Sequence, residues 1–226
     1  MRRSLLWIWL AALLAVGCQG GERVSSAESA GQAPSRSVAP AKDRAGYPAI
    51  VAFGDSLSAG TGVDPRLNYP SQLQDLLDRK GYPLRVINAG VGGETTAQGL
   101  SRLPNVIELK PRLVILELGG NDGLRGLPIL SIRKNLGTII ERLKTSGIPV
   151  VLAGMRIPPN YGPRYTEQFH QMYADLAAEH RVTLIPFFLE GVAGNPDLNL
   201  EDGIHPNGDG YRIVTQAVFE TIRPLL

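Results

Sequence analysis

Ile50-Val-Ala-Phe-Gly-Asp-Ser-Leu-Ser58 is the stretch on which the fold turns. Ile50 to Phe53 are apolar without alternation, the pattern of a short strand buried on both faces, and Gly54-Asp-Ser56 ends it abruptly. Strands of that kind belong to parallel sheets covered by helices on both sides. Ser56 is thereby left at a strand's carboxyl end, the edge of an open α/β sheet where ligands bind. Asp55 and Ser56 are also good helix-capping residues, so the stretch alone allows a cap as readily as a reactive serine.

The same alternation continues downstream. Tyr69, Leu73, Leu76 and Leu77 recur at helical spacing, and Gly81 with Pro83 closes that helix. Leu84 to Ala89 reads as a second strand, Gly90-Val-Gly-Gly93 as a turn, and Thr95 or Thr96 as the cap of a helix carrying Leu100, Leu103, Val106 and Ile107. Leu113 to Leu118 is a third strand, apolar apart from Glu117, which stops at Gly119-Gly-Asn-Asp-Gly123. Ile132, Leu136, Ile139, Ile140 and Leu143 form the next amphipathic helix, Gly147 ends it, and Val150 to Ala153 is a fourth strand. A Pro/Gly/Tyr-rich loop, a helix from about Tyr165 to His180, a strand Val182 to Ile185 and a last helix from Pro206 to Ile222 complete the chain. Five strands alternating with helices predict a three-layer α/β/α sandwich with a five-stranded parallel sheet in flavodoxin-like order.

Ahead of this domain, Arg2 and Arg3 precede an apolar run from Leu5 to Val16, too short for the ~20 residues that span a bilayer and suited to a signal-peptide core. Leu14-Ala-Val-Gly-Cys18 resembles the lipobox of bacterial lipoproteins, which implies cleavage after residue 17 and lipid on the Cys18 sulfur; plain secretion and a buried thiol are the alternatives. Residues 18–46 turn to Gly, Ser, Ala, Pro and charges without apolar periodicity, a flexible tether. The folded domain is then 47–226. Formal charge is +2, from 23 Lys+Arg and 21 Asp+Glu, and loss of Arg2 and Arg3 leaves a neutral mature chain with no electrostatic case for nucleic acid. A single cysteine excludes an intrachain disulfide, and His170, His180 and His205 stand in no metal-ligand spacing, so neither metal nor cofactor is expected.

The strand-end loops and the loop before the last helix hold Ser56, Gly93, Asn121 and Asp202-Gly-Ile-His205. Acyl transfer by serine needs a nucleophile, a base, a group orienting that base, and donors facing the oxyanion. Ser56, His205 and Asp202 fit the first three roles; the N–H groups of Ser56 and Gly93 and the Asn121 amide fit the last. Each residue also has an ordinary turn or cap use, but four correctly typed groups at successive crevice loops are hard to assign to turn-making alone.

Gly54-Asp-Ser-Leu57, Gly93, Gly120-Asn-Asp122 and Asp202-x-x-His205 resemble, in order, the four blocks of the SGNH, or GDSL, hydrolases. More narrowly, Gly54-Asp-Ser-Leu-Ser-Ala-Gly60, Leu118-Gly-Gly-Asn-Asp-Gly-Leu-Arg-Gly126 and Asp202-Gly-Ile-His-Pro-Asn207 look like the bacterial arylesterase, acyl thioesterase and lysophospholipase group. The resemblance covers nearly the whole domain and implies a metal-free serine esterase acting on small acyl esters or thioesters, lysophospholipid among them. Glu94 follows Gly93 where many relatives have Asp. With the lipobox, the resemblance implies an exported, periplasm-facing lipoprotein, and Gln19 in place of Asp after the cysteine points to the outer membrane.

Leu124, Leu127, Ile129, Met155, Ile157 and Phe188 lie near the crevice loops and suggest an acyl-chain groove, with Leu124, Leu127 and Ile157 as its substrate-binding wall. A carbohydrate O-acetyl esterase would use the same catalytic residues in a shallower, more polar cleft. A non-catalytic flavodoxin-like nucleotide module would carry a phosphate-binding glycine loop after the first strand, and neither G-x-G-x-x-G nor GK[ST] is there.

Overall fold

The computed structural model describes residues 44–226, so the signal segment and most of the tether expected from the sequence, with Cys18, lie outside the described residues. Strand β1 (Ala49–Gly54) is buried at every position and pairs in parallel with β2 (Arg85–Gly90) on one side and β3 (Leu113–Glu117) on the other. β4 (Val150–Ala153) and β5 (Thr183–Ile185) extend the sheet past β3, giving the parallel order β2-β1-β3-β4-β5. That is the flavodoxin-like order expected from the sequence. The three inner strands carry the apolar runs, broken only by Glu117 at the end of β3, and every residue of β1, β3 and β4 is withdrawn from water; β2 at the edge tolerates Arg85 and Asn88.

Seven helices can be numbered in the described residues: α1 (Ser56–Ala59), α2 (Tyr69–Arg79), α3 (Thr96–Glu108), α4 (Gly120–Leu124), α5 (Ile129–Thr145), α6 (Pro163–His180) and α7 (Gly208–Ile222). α2 packs against α7, while α5 packs between α3 and α6. Because right-handed crossovers from β1 and from β3 run in opposite directions along the sheet, these two sets cover opposite faces. The order reverses between β1 and β3, and the crevice at such a switch point is the natural ligand site. Ser56 leaves β1 and Asn121 leaves β3, so the two flank it.

The strands β2, β3 and β5 shift by a single residue from the sequence reading, and two helix starts differ by two. α7 begins at Gly208 rather than Pro206 because the Asn207 side chain caps it, accepting from the N–H groups of Asp209 and Gly210 at 3.0 Å each. α6 begins at Pro163, two residues before Tyr165, since proline suits the first turn, where its missing N–H costs no bond. Gly54 illustrates how tightly the β1 end is built. A Cβ there would lie 2.2 Å from Ser58 Oγ, 2.4 Å from Glu117 Oε2 and 2.5 Å from the Glu117 carbonyl, so only glycine lets β1, α1 and β3 converge.

Candidate active site

Asp55 caps α1, its Oδ1 accepting from the Leu57 N–H at 3.1 Å, so the capping reading of this stretch holds for Asp55. Ser56 is left as the first residue of the helix, half-buried, with Oγ 2.8 Å from His205 Nε2. On the far side of the ring, His205 Nδ1 lies 2.6 Å from Asp202 Oδ2. The loop holding both is closed by Leu200 N–H donating to the His205 carbonyl at 2.8 Å and Asn207 N–H donating to Leu198 at 2.9 Å. Asp202 folds onto its own loop, Oδ1 accepting from the N–H groups of Ile204 at 2.9 Å and His205 at 3.0 Å. These bonds, led by the His205 N–H and its ring, hold the Asp202 carboxyl down at about 2. Asp202 is therefore an acceptor only, which fixes the proton of a neutral imidazole on Nδ1 and turns the Nε2 lone pair toward the Ser56 hydroxyl.

Asn121 stands in the first turn of α4 and reaches across to the β1 end: Nδ2 donates to Asp55 Oδ2 at 2.9 Å and to the Glu94 carbonyl at 3.1 Å. Gly93, just before Glu94, has φ 75°, the left-handed region that favours glycine, and its N–H has no acceptor among the described residues. The loop is held from behind. Arg102 of α3 grips both carboxylate oxygens of buried Glu94, donates to the Gly54 carbonyl at 3.1 Å and lies 4.5 Å above the Phe53 ring. Buried Asp122 accepts from the Thr96 N–H at 2.8 Å and its hydroxyl at 2.7 Å, pinning α3 to α4, while Thr95 supplies the helix cap.

Behind Asp55 sits a second buried carboxyl. Glu117 is fully buried; its Oε2 accepts from Ser58 Oγ at 2.8 Å and the Asp55 N–H at 3.3 Å, and Oε1 has no hydrogen-bond partner among the described residues. Burial, reinforced by neighbouring Asp55, pushes the Glu117 carboxyl well above the usual range, and burial lifts Asp55 to about 6 against the bonds from Leu57 and Asn121. A carboxyl raised in the folded state takes up a proton on folding. Each of these therefore makes the fold less stable as pH rises, for Asp55 between 3.8 and about 6.

The four blocks that the sequence spread along the chain thus meet at one sheet edge. The sequence signature of the GDSL-like lipase/acylhydrolase family matches residues 52–213. The chain belongs to this family. It is 43% identical over 178 residues to esterase TesA of Pseudomonas aeruginosa, covering 78% of this chain and 89% of that one. With thioesterase 1/protease 1/lysophospholipase L1 of Escherichia coli it shares 39% identity over 178 residues, 78% of this chain and 84% of the other. The crystal structure of TesA superposes with a TM-score of 0.76, covering 79% of this chain and 99% of that chain at 43% identity. The protein is a carboxylic ester hydrolase of the SGNH type.

In this esterase the crevice in front of Ser56 has a volume of about 510 Å³ and is walled by Leu124, Met155, Ile157, Phe187 and Leu189, with Arg156 at its side. Leu124, Met155 and Ile157 were expected there; three others were not found there. Leu127 lies outside the crevice, 36% exposed, because Gly126 at φ 64° turns the chain away and the Leu127 carbonyl is taken by the Tyr165 hydroxyl at 2.6 Å. Ile129 opens instead onto a groove between α5 and α6. Phe188 points into the core, edge-on to Tyr69 at 5.2 Å, and the adjacent Phe187 takes the crevice position. A one-residue shift after β5 reverses the side to which a side chain points, and the apolar pair Phe187-Phe188 gave no means of choosing. Glu117 was visible as the one charge in an apolar strand; Arg102 carried no local signal.

Proposed function

We propose that Ser56 is the nucleophile, His205 the base that becomes the acid, Asp202 the residue orienting the ring, and Ser56 N–H, Gly93 N–H and Asn121 Nδ2 the oxyanion donors. The observation that carries this reading is the continuous path from Ser56 Oγ to His205 at 2.8 Å and on to Asp202 at 2.6 Å, opening on an apolar crevice. His205 Nε2 takes the hydroxyl proton as Ser56 Oγ attacks the acyl carbonyl, and the negative charge collects on the carbonyl oxygen. Collapse expels the alcohol or thiol, which receives the proton from Nε2, and leaves an acyl-serine. Water then repeats the cycle, giving its proton to His205 and releasing the carboxylic acid.

The substrates are acyl esters and thioesters with a medium or longer apolar chain. Each methylene buried along Leu124, Met155 and Ile157 gains up to about 0.8 kcal/mol, roughly fourfold in kcat/KM. A series of p-nitrophenyl esters from acetyl to dodecanoyl is expected to rise with length in the wild type. Leu124→Asp flattens that rise and Leu127→Asp does not. A wild type fastest on acetyl esters, and faster still on acetylated sugars, would transfer the case to the carbohydrate esterase.

We also infer that Cys18 carries the lipid of an envelope lipoprotein facing the periplasm; the support is the small-residue stretch before Cys18 and the charged, then apolar, residues ahead of it. Cys18→Ser is expected to move the protein from the membrane pellet to the soluble fraction, and cells fed a clickable fatty acid should label wild type only. An unlabelled wild type would refute the anchor.

A further inference from the structure

Among the residues lining the crevice, Arg156 is the one lysine or arginine, and it forms no ion pair among the described residues. It is exposed to solvent yet not left to wander: its guanidinium lies 5.0 Å above the Phe187 ring. The backbone builds that stack. Gly154 N–H donates to the Ile185 carbonyl and Phe188 N–H to the Gly154 carbonyl, both at 2.8 Å, so the chains leaving β4 and β5 run side by side and present Arg156 and Phe187 together. A guanidinium resting over an aromatic ring without an ion-pair partner keeps N–H groups for a ligand, and their fork matches a phosphate. The remaining charge of the wall gives no competing acceptor, because Asp55 is buried and already engaged by Leu57 and Asn121. An apolar ester would meet the same walls without using this cation.

We propose that Arg156 is a specificity-determining residue that favours acyl esters and thioesters whose alcohol or thiol part carries a phosphate. The inference rests on the esterase reading of the same crevice. Two sources of such a phosphate share this chemistry, the headgroup of a lysophospholipid and the phosphates of an acyl coenzyme A, and matched pairs separate them. Decanoyl glycerol is set against decanoyl glycerol phosphate, and decanoyl pantetheine against decanoyl coenzyme A, all below their micellar concentrations. The quantity read is the ratio of kcat/KM within each pair, for wild type, Arg156→Gln and Arg156→Lys.

An exposed charge-assisted contact is expected to give the wild type a ratio of about three to ten at low ionic strength. Arg156→Gln brings the ratio close to one, Arg156→Lys keeps part of it, and added salt moves the wild type toward the glutamine variant. A raised ratio in only one pair assigns the phosphate to that source. Equal ratios in wild type and Arg156→Gln, with all the esters hydrolysed, overturn the inference alone. Hydrolysis of no member of either pair by the wild type overturns the esterase reading, and this inference with it.

Discussion

Ser56→Ala and His205→Ala are each expected to lower kcat on p-nitrophenyl esters by on the order of 10⁵- to 10⁶-fold, and the double variant to be scarcely slower than either. In the mechanism we propose, Oγ and Nε2, 2.8 Å apart, share one proton transfer, so losing either partner removes the whole step. Asp202→Ala should cost less, on the order of 10⁴-fold, because the ring keeps its place opposite Ser56 but loses the acceptor that sets its tautomer. With the Asp202 carboxyl held near 2, the carboxylate stays ionised throughout the pH range in which the protein is assayed. Any acid limb in the rate therefore reports another group. A fluorophosphonate probe should label the wild type at Ser56 and leave Ser56→Ala unlabelled. Near-normal turnover by a folded, purified Ser56→Ala protein would end the proposal, and multiplicative losses in the double variant would show that the two residues do not act as a unit.

Much of the site was legible because the chemistry sits where the chain changes periodicity. The apolar run Ile50 to Phe53 requires a doubly covered parallel strand, and once β1 is central the order of the sheet puts Ser56 and Asn121 at the switch point. Asp202 and His205 could be paired because they stand three positions apart on one turn, a distance the backbone alone can close. What the sequence withheld depends on long-range packing. The Arg102 clamp on Glu94 joins α3 to the loop after Gly93 by side chains whose meeting no local pattern announces. The crevice wall was half right for a related reason. Leu124 and Leu127 are three residues apart, a helical spacing that would put both on one face, but α4 ends at Leu124 and Gly126 turns the chain outward.

Asn121→Ala is expected to lower kcat by roughly 10²- to 10³-fold while changing KM little, the loss typical of one oxyanion donor. The resting geometry says why the effect should fall on kcat. Both amide hydrogens of Asn121 are engaged, one on Asp55 at 2.9 Å and one on the Glu94 carbonyl at 3.1 Å. A neutral ester carbonyl in the ground state offers no better acceptor than the Glu94 carbonyl it would have to displace. An oxyanion does, because hydrogen bonds to a charged acceptor are about twice as strong as neutral ones. The N–H now on Glu94 is thus available chiefly to the transition state, and the bond to Asp55 holds the amide in place while the other is redirected. The same two bonds mean that alanine also has a structural cost. Losing two part-buried hydrogen bonds should lower stability by about 1–3 kcal/mol, a fall in Tm of roughly 2–12 °C for a domain of this size, and the Asp55 carboxyl, without the amide that restrains it, should rise further. Thermal melts beside the kinetics separate the two roles: a variant that melts lower yet turns over near normally per folded molecule would make Asn121 a brace of the α4 turn, whereas a large loss of kcat in protein still folded at the assay temperature assigns it to the oxyanion.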